Sequence, residues 1–350
     1  MNWRNCARTD FERIDMTTQT PSAPSGRMMG LSEATALIRG GGYFSIAGDE
    51  ALLRQLPRGH WIGGTIPYFM GQDGGVTTRD QLYVAQVPAT GGVPVIRFYD
   101  QISLERVCVD APDNGFSIVV LPAFSAVHSL YARNAPGYED MYIKPLVGWV
   151  SGIHLSDLGR ASPLVVNGET LEFDGERALV MHVPLPASQY ASIDIINLFT
   201  QGDGDRIRFP AKGFSASDCL INGQPGNFAQ YVSLRAIDTR LPLVADYSGA
   251  MINVSIKSVD AQKGLVDFYA PVFDDIEYRF AAPVPDYVSA FHAALPQQTG
   301  PTGFSCNCVL NYLYSELEGK RVPSMLGPMT FGEVAYQLLN QTLVYLTIEG

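Results

Sequence analysis

Two cysteines one residue apart, Cys306 and Cys308 around Asn307, are the side chains of this sequence best suited to covalent or metal chemistry. On a strand, residues two apart share a face, so both thiols point the same way. They fall short of a zinc site, because a tetrahedral structural site needs four ligands and no second C-x-x-C or H-x-x-x-H accompanies them. Two readings stay open. One is a pair of small buried hydrophobes; the other is a reactive thiol at a pocket edge, with the Ser305 hydroxyl beside it. The second needs a nearby base to raise the thiolate fraction, and no histidine is assigned to that task by spacing. Glu333 follows Gly332 in a turn expected to lead into a helix through Leu339. A carboxylate there either faces the helix N-terminus or accepts hydrogen bonds from an amine or hydroxyl of a ligand. Asn340 and Thr342, at the start of the last strand, either complete that polar set or cap the turn.

The five histidines are scattered: His60 and His154 adjoin glycine-containing segments, His128 and His292 fall on expected helices, and His182 lies in a strand. Asp203 and Asp205, with Gly202 and Gly204, imitate the start of a calcium loop. No acidic residue stands at the twelfth position an EF-hand requires, so a solvated turn is expected. G-x-x-x-x-G-K-[ST], G-x-S-x-G and H-E-x-x-H are absent, which removes the commonest NTPase, α/β-hydrolase and zinc-protease signatures.

These residues are held by a repeated kind of segment. Gly63-Gly64-Thr65-Ile66-Pro67-Tyr68-Phe69-Met70-Gly71, Leu146-Val147-Gly148-Trp149-Val150-Ser151-Gly152 and Gly327-Pro328-Met329-Thr330-Phe331-Gly332-Glu333 each set glycines around an apolar or aromatic centre. Such glycines let backbones approach closely or turn sharply. The three segments either pack tightly at strand ends or line one concave site.

The intervening chain alternates strand and helix patterns. Ser32 is expected to cap a helix through Arg39, ended by Gly40, Gly41 and Gly42, and Asp49 to cap a second helix before Pro57. Ser117 to Leu121 is an apolar run of the kind found in a strand buried on both faces, with a helix expected from Ser125 to Arg133. Strands are expected at Pro145 to Ser151, Ala178 to Pro184, Ile193 to Phe199, Leu265 to Ala270 and Thr342 to Ile348, the last rich in β-branched residues. A helix is expected from Pro285 to about Leu295, and Phe304 to Val309 reads as a strand running into a helix through about Leu317. Interleaved strands and helices predict a mixed α/β fold: two related α/β halves with large mixed sheets flanked by helices.

Four stretches, Gly264 to Val272, Phe304-Ser305-Cys306, Gly327 to Glu333 and Leu339 to Val344, together resemble the C-terminal module of FIST (F-box and intracellular signal transduction) proteins. Gly42 to Val232 resembles the family's N-terminal module in a more diverged form, although its first glycine segment lacks a Gly-Glu pair. The mixed charges and the Thr/Pro/Ser-rich stretch from Thr17 to Ser25 predict a flexible tail over 1–30, and the resemblance implies an N-terminal module over 31–240 and a C-terminal module over 241–350. It further implies a sensor of small ligands whose pocket draws on Gly63, Gly64, Tyr68, Gly148, Trp149, Cys306, Cys308, Gly332, Glu333 and Asn340. With no kinase, cyclase or methyl-accepting segment following Gly350, such a protein would signal through a partner protein in trans. Because some FIST-like sensors bind haem, haem is the alternative to a cofactor-free pocket, with the histidines as candidate axial ligands. The competing expectation is a cysteine-dependent hydrolase or acyl-transfer enzyme using Cys306.

Bulk properties narrow the partners. The 350 residues carry a net charge of −11, which repels nucleic acid and anionic membrane surfaces. No run of 18 apolar residues is present, so no spanning helix is expected. Hydrophobic residues at 46% against 17% charged exclude a disordered chain. Five widely spread cysteines fit reduced thiols in a cytoplasm.

Overall fold

The computed structural model describes residues 26–247, 249–294, 302–322 and 326–350. Most of the tail expected over 1–30, together with Cys6 and the end of the helix expected near Leu295, lies outside the described residues. The class is mixed α/β with large mixed sheets, and helices are few and short.

Three six-stranded sheets are built on one plan. Each contains a single parallel pair of strands, and in each the two parallel strands are joined through a helix. In the first sheet Tyr43–Gly48 runs through helix Glu50–Leu53 into His60–Thr65. In the second, Gly115–Pro122 runs through helix Ala126–Asn134 into Leu146–Ser151. In the third, Thr302–Cys308 runs through helix Val309–Tyr314 into Gly327–Thr330. Parallel strands need such crossovers because a tight hairpin can join only antiparallel neighbours. Antiparallel strands complete each sheet. Strands from both sides of residue 240 share the second and third sheets: Glu333–Ala335 pairs with Leu146–Ser151, and Leu343–Glu349 pairs with Tyr190–Ile196.

The three glycine segments are the returning strands of these crossovers. A Cβ at Gly63 would sit 2.8 Å from the Ile46 carbonyl oxygen, and one at Gly148 would sit 1.9 Å from that of Val119, each on the parallel neighbour. Gly327 repeats the arrangement, 2.8 Å from the Ser305 carbonyl oxygen. Glycine is thus required by backbone approach. The inner faces of the three sheets share one core, in which Ile62, Val120, Val147, Trp149, Phe304, Cys306, Met329 and Val344 are all buried.

A fourth unit stands apart. Every strand of the remaining two sheets falls between Ile207 and Phe280, and they enclose their own core of Ile207, Phe209, Phe228, Val266, Phe268 and Tyr278 around helix Phe228–Leu234. Edge-to-face aromatic pairs such as Phe209 on Phe228, with ring centres 5.1 Å apart, tighten it. This unit meets the main body along a seam that is polar in part, where Asn253 Nδ2 donates to Asn197 Oδ1 and to the Asn340 carbonyl and Ser255 Oγ donates to Gln341 Oε1, and apolar in part, where Phe214 and Ala270 pack into the core beside the second sheet.

Several helix caps follow their residue types. Asp49 accepts from the Ala51 N–H, and Ser125 accepts from the His128 N–H. Ser32 does not cap the first helix. That helix begins at Leu31 with Gly30 at the cap position, where no side chain can bond. The helix expected after Glu333 is also absent. Glu333–Ala335 and Gln337–Leu339 form a β-hairpin reversing at Tyr336, whose φ is +63°. Pairing with the open edge of Leu146–Ser151 satisfies three residues of backbone there and outweighs local helix propensity.

Candidate functional site

Most of the glycine, thiol and carboxyl residues singled out by sequence do converge, in the interior. The Cys306 Sγ donates to the Gly148 carbonyl at 3.3 Å. Trp149 is the strand partner of Glu333, and its ring lies 2.8 Å from where a Gly64 Cβ would be. Cys306 and Cys308 are each 1% exposed, and Glu333 is fully buried. Burial, reinforced by Glu333, raises both thiols well above the usual range. Among the described residues no histidine is hydrogen-bonded to Cys306, so no imidazole is in place there to act as the base of a cysteine nucleophile.

The Glu333 carboxyl is pushed up to about 8 by burial, against hydrogen bonds from Thr342 and Thr330. Oε2 accepts from the Thr342 N–H at 3.2 Å and its hydroxyl at 2.9 Å. Thr330 Oγ1 lies 2.9 Å from the Gly332 carbonyl and 3.4 Å from Glu333 Oε1. The same hydroxyl lies 3.2 Å from the Asn307 carbonyl, so three acceptors compete for its one proton. Thr342 therefore anchors a buried carboxyl, and Asn340 lends its carbonyl to the seam. Gly332 packs beside Val150 and Leu338. Tyr68 is buried too, its hydroxyl accepting from the Leu155 N–H at 3.0 Å.

A second interior set was invisible to spacing. Ser117 Oγ lies 2.8 Å from His182 Nδ1, His182 Nε2 lies 2.8 Å from the Tyr99 hydroxyl, and that hydroxyl donates to Asp110 at 3.2 Å. The connectivity is that of a hydrolytic relay. Ser117 is fully buried and lines neither of the two clefts described next, so the set is a satisfied core network.

Open clefts lie where the crossovers end. In open α/β sheets, ligands bind beyond the carboxyl ends of the strands, where loops diverge. One cleft, about 470 Å³, is bordered by Ala123, Phe124 and Ser125 after one parallel strand, Val309 and Leu310 after another, and Phe331 after a third. The fourth unit closes its far side with Phe214, Lys257, Asp267 and Tyr269. Its volume falls within the range of small-molecule sites, and a junction between units is a usual place for one.

His128 lines this cleft from the first turn of its helix. It is 9% exposed, and its Nε2 has no hydrogen-bond partner among the described residues. Burial pushes its pKa down to about 4, so the ring is neutral at pH 7. Phe124 holds a left-handed φ of +67° while 54% exposed, a strained backbone for an aromatic residue. Its ring meets Phe331 edge-to-face with centres 6.0 Å apart, and the Lys257 ammonium lies 5.4 Å above it. A smaller cleft of about 340 Å³, beyond His60–Thr65 and Leu146–Ser151, is lined by Asp49, Arg54, Arg79, His154 and Asp157, charges largely paired with one another.

Neither cleft is lined by any of the ten residues expected from sequence, although both open directly beyond the strands carrying them. Lys257, Asp267 and Phe214 come from a unit 80 or more residues away from His128, and no local pattern ties them to it. Of the histidines, only His128 enters the large cleft: His60 pairs with Glu169, His154 with Ser156, and His182 is interior. Among the described residues no group of three or more His, Cys, Asp or Glu is placed to hold a metal ion, and no helix is long and apolar enough to cross a membrane.

A family model matches residues 29–349, nearly the whole chain, and spans all four units. The chain belongs to DUF6976, a family of unknown function. No curated protein matches it, and no solved structure does.

Proposed function

We propose that this DUF6976 protein is a small-ligand-binding protein of sensory type, acting in the cytoplasm through a partner protein, with the 470 Å³ cleft as its site. The observation that carries the reading is His128, a neutral, buried imidazole whose Nε2 has no partner among the described residues, in the wall of a preformed apolar cleft. The sensory part rests on the FIST resemblance and on the cleft's position between two units, where occupancy changes how they meet. Four free cysteines, all buried, suit a reducing compartment.

The test is a thermal-shift screen of small metabolites at pH 7, with wild type beside Leu313→Trp. Leu313 borders the cleft and is 36% exposed, so the larger ring fills space with little strain. A ligand at one hundred times its Kd stabilises by about 2.7 kcal/mol, and the shift should vanish in the variant. A broad screen without a hit removes the reading. An absorption spectrum of the protein as purified decides the haem alternative, through the presence of a Soret band.

A further inference from the structure

Tyr190–Ile196 is the outermost strand of the third sheet, paired only with Leu343–Glu349. Its seven residues make it the longest edge strand among the described residues, the other edges having five or fewer. In an antiparallel pair every other residue turns its N–H and C=O away from its neighbour. Along Tyr190–Ile196 those outward groups have no partner among the described residues. Proteins commonly blunt such an edge with lysine, proline or a bulge. This strand has neither residue, and its register runs unbroken from Tyr190 opposite Glu349 to Ile196 opposite Leu343. Tyr190 and Ile195 are 54% and 42% exposed, so solvent reaches the strand toward both ends.

Charge decides what can add there. Asp194 is the strand's one charged residue, and it is exposed. Partial burial and the neighbouring Glu349 raise its carboxyl above the ordinary range, against a hydrogen bond from Tyr345, and no cation among the described residues offsets them. A second copy of the chain, at a net charge of −11, would set these acids against their own kind. Ala191 and Ile193 lie on the opposite face of the strand, packed against the main core, with Ile195 beyond them. An incoming strand whose side chains alternate between basic and apolar meets both faces at once.

We infer that Tyr190–Ile196 docks an extended basic segment of a partner protein, which joins the third sheet as a further strand with lysine or arginine beside Asp194 and apolar side chains beside Ile193 and Ile195. Main-chain hydrogen bonds supply the affinity, and the alternating side chains the specificity. The inference names the kind of partner through which the proposed sensory protein acts, and rests on that reading for its role alone. The metabolite screen judges the cleft, and peptide binding judges the edge.

Fluorescence anisotropy at pH 7 and physiological salt with three labelled peptides tests the inference: an alternating Lys-Val peptide, its Glu-Val counterpart, and the Lys-Val peptide with every main-chain N–H methylated, which keeps the charge and loses the donors. The first should bind about tenfold or more tightly than either of the others. Hydrogen exchange should slow over Tyr190–Ile196 when it binds. Asp194→Lys should weaken the Lys-Val peptide by about tenfold and turn the preference toward Glu-Val. Asp218→Lys, the same change of charge on another sheet, should leave both within about twofold. Both aspartates are exposed, so neither exchange disturbs the core. Equal binding of the methylated peptide, or no binding of the Lys-Val peptide at millimolar concentration, overturns the inference. So does a preference that ignores Asp194→Lys, or protection that falls elsewhere in the chain. A concentration-dependent dimer in sedimentation, with Tyr190–Ile196 protected by it, gives the edge to a second copy and overturns the inference too.

Discussion

A carboxyl group cut off from solvent keeps a proton sooner than carry a charge, and Glu333 is such a group. Its pKa stands near 8 in the folded protein against an ordinary 4.5, so the unfolded chain releases a proton in that interval while the folded one holds it. Stability is therefore whole below pH 4.5 and declines by up to about 1.4 kcal/mol per unit as pH rises toward 8. Glu333→Gln keeps the shape and removes the titration. Urea unfolding at pH 5 and pH 9 should show wild type weaker at pH 9 by a few kcal/mol more than the variant; equal slopes would refute the protonated state. His128 works in the opposite sense, since its lowered pKa makes stability fall as pH drops from 6.5 through about 4. The thiols carry a separate expectation. Iodoacetamide at pH 8 with peptide mapping should leave Cys108, Cys219, Cys306 and Cys308 unmodified in the native protein, and labelling of Cys306 would restore the cysteine-enzyme reading. Cysteine and glutamate were noticed in the sequence for their reactivity, but side-chain type does not encode solvent access. His128, read from sequence as a helical residue and one of five candidate haem ligands, gains its place in the cleft from a cap at Ser125 and a wall built far away in the chain.

At the scale of the element, three crossovers repeat one steric device. Gly148→Ala drives a methyl against the Val119 carbonyl, and neither backbone can withdraw without breaking the parallel pair. The cost should be about 3 kcal/mol or more by chemical denaturation. Gly63→Ala, with a longer contact, should cost less. Gly204→Ala, with open space around it, should stay within about 0.5 kcal/mol. A Gly148→Ala protein as stable as wild type would contradict the close approach. This part of the fold was legible in sequence. The apolar run at Ser117 to Leu121 became Gly115–Pro122, buried at every position, and Ala178 to Pro184 kept its bounds. Such strands announce themselves because burial on both faces leaves no room for polar residues. The hairpin at Glu333 was misread as a helix because its partner edge is supplied by residues almost two hundred positions earlier.

The whole molecule is a three-sheet body with a contiguous fourth unit docked on a partly polar seam. Asn253→Ala leaves Asn197 and the Asn340 carbonyl short of partners in a buried setting, which should cost about 2–3 kcal/mol. Hydrogen exchange should rise at the seam peptides around Asn197 and Asn340 before it rises within the Ile207–Phe280 core; uniform acceleration would argue against a separate unit. Interleaved strand and helix patterns conveyed the mixed class, yet three sheets assembled from distant strands left no local trace, since pairing partners are chosen by tertiary packing. Strand provenance also orders events during synthesis. All strands of the fourth unit leave the ribosome as one stretch, so that unit can fold early. The third sheet has Leu343–Glu349 between Tyr190–Ile196 and Thr302–Cys308, and must wait until that strand has been made. Until then Tyr190–Ile196 is an unpaired edge on the nascent chain, a strand open to pairing with other chains.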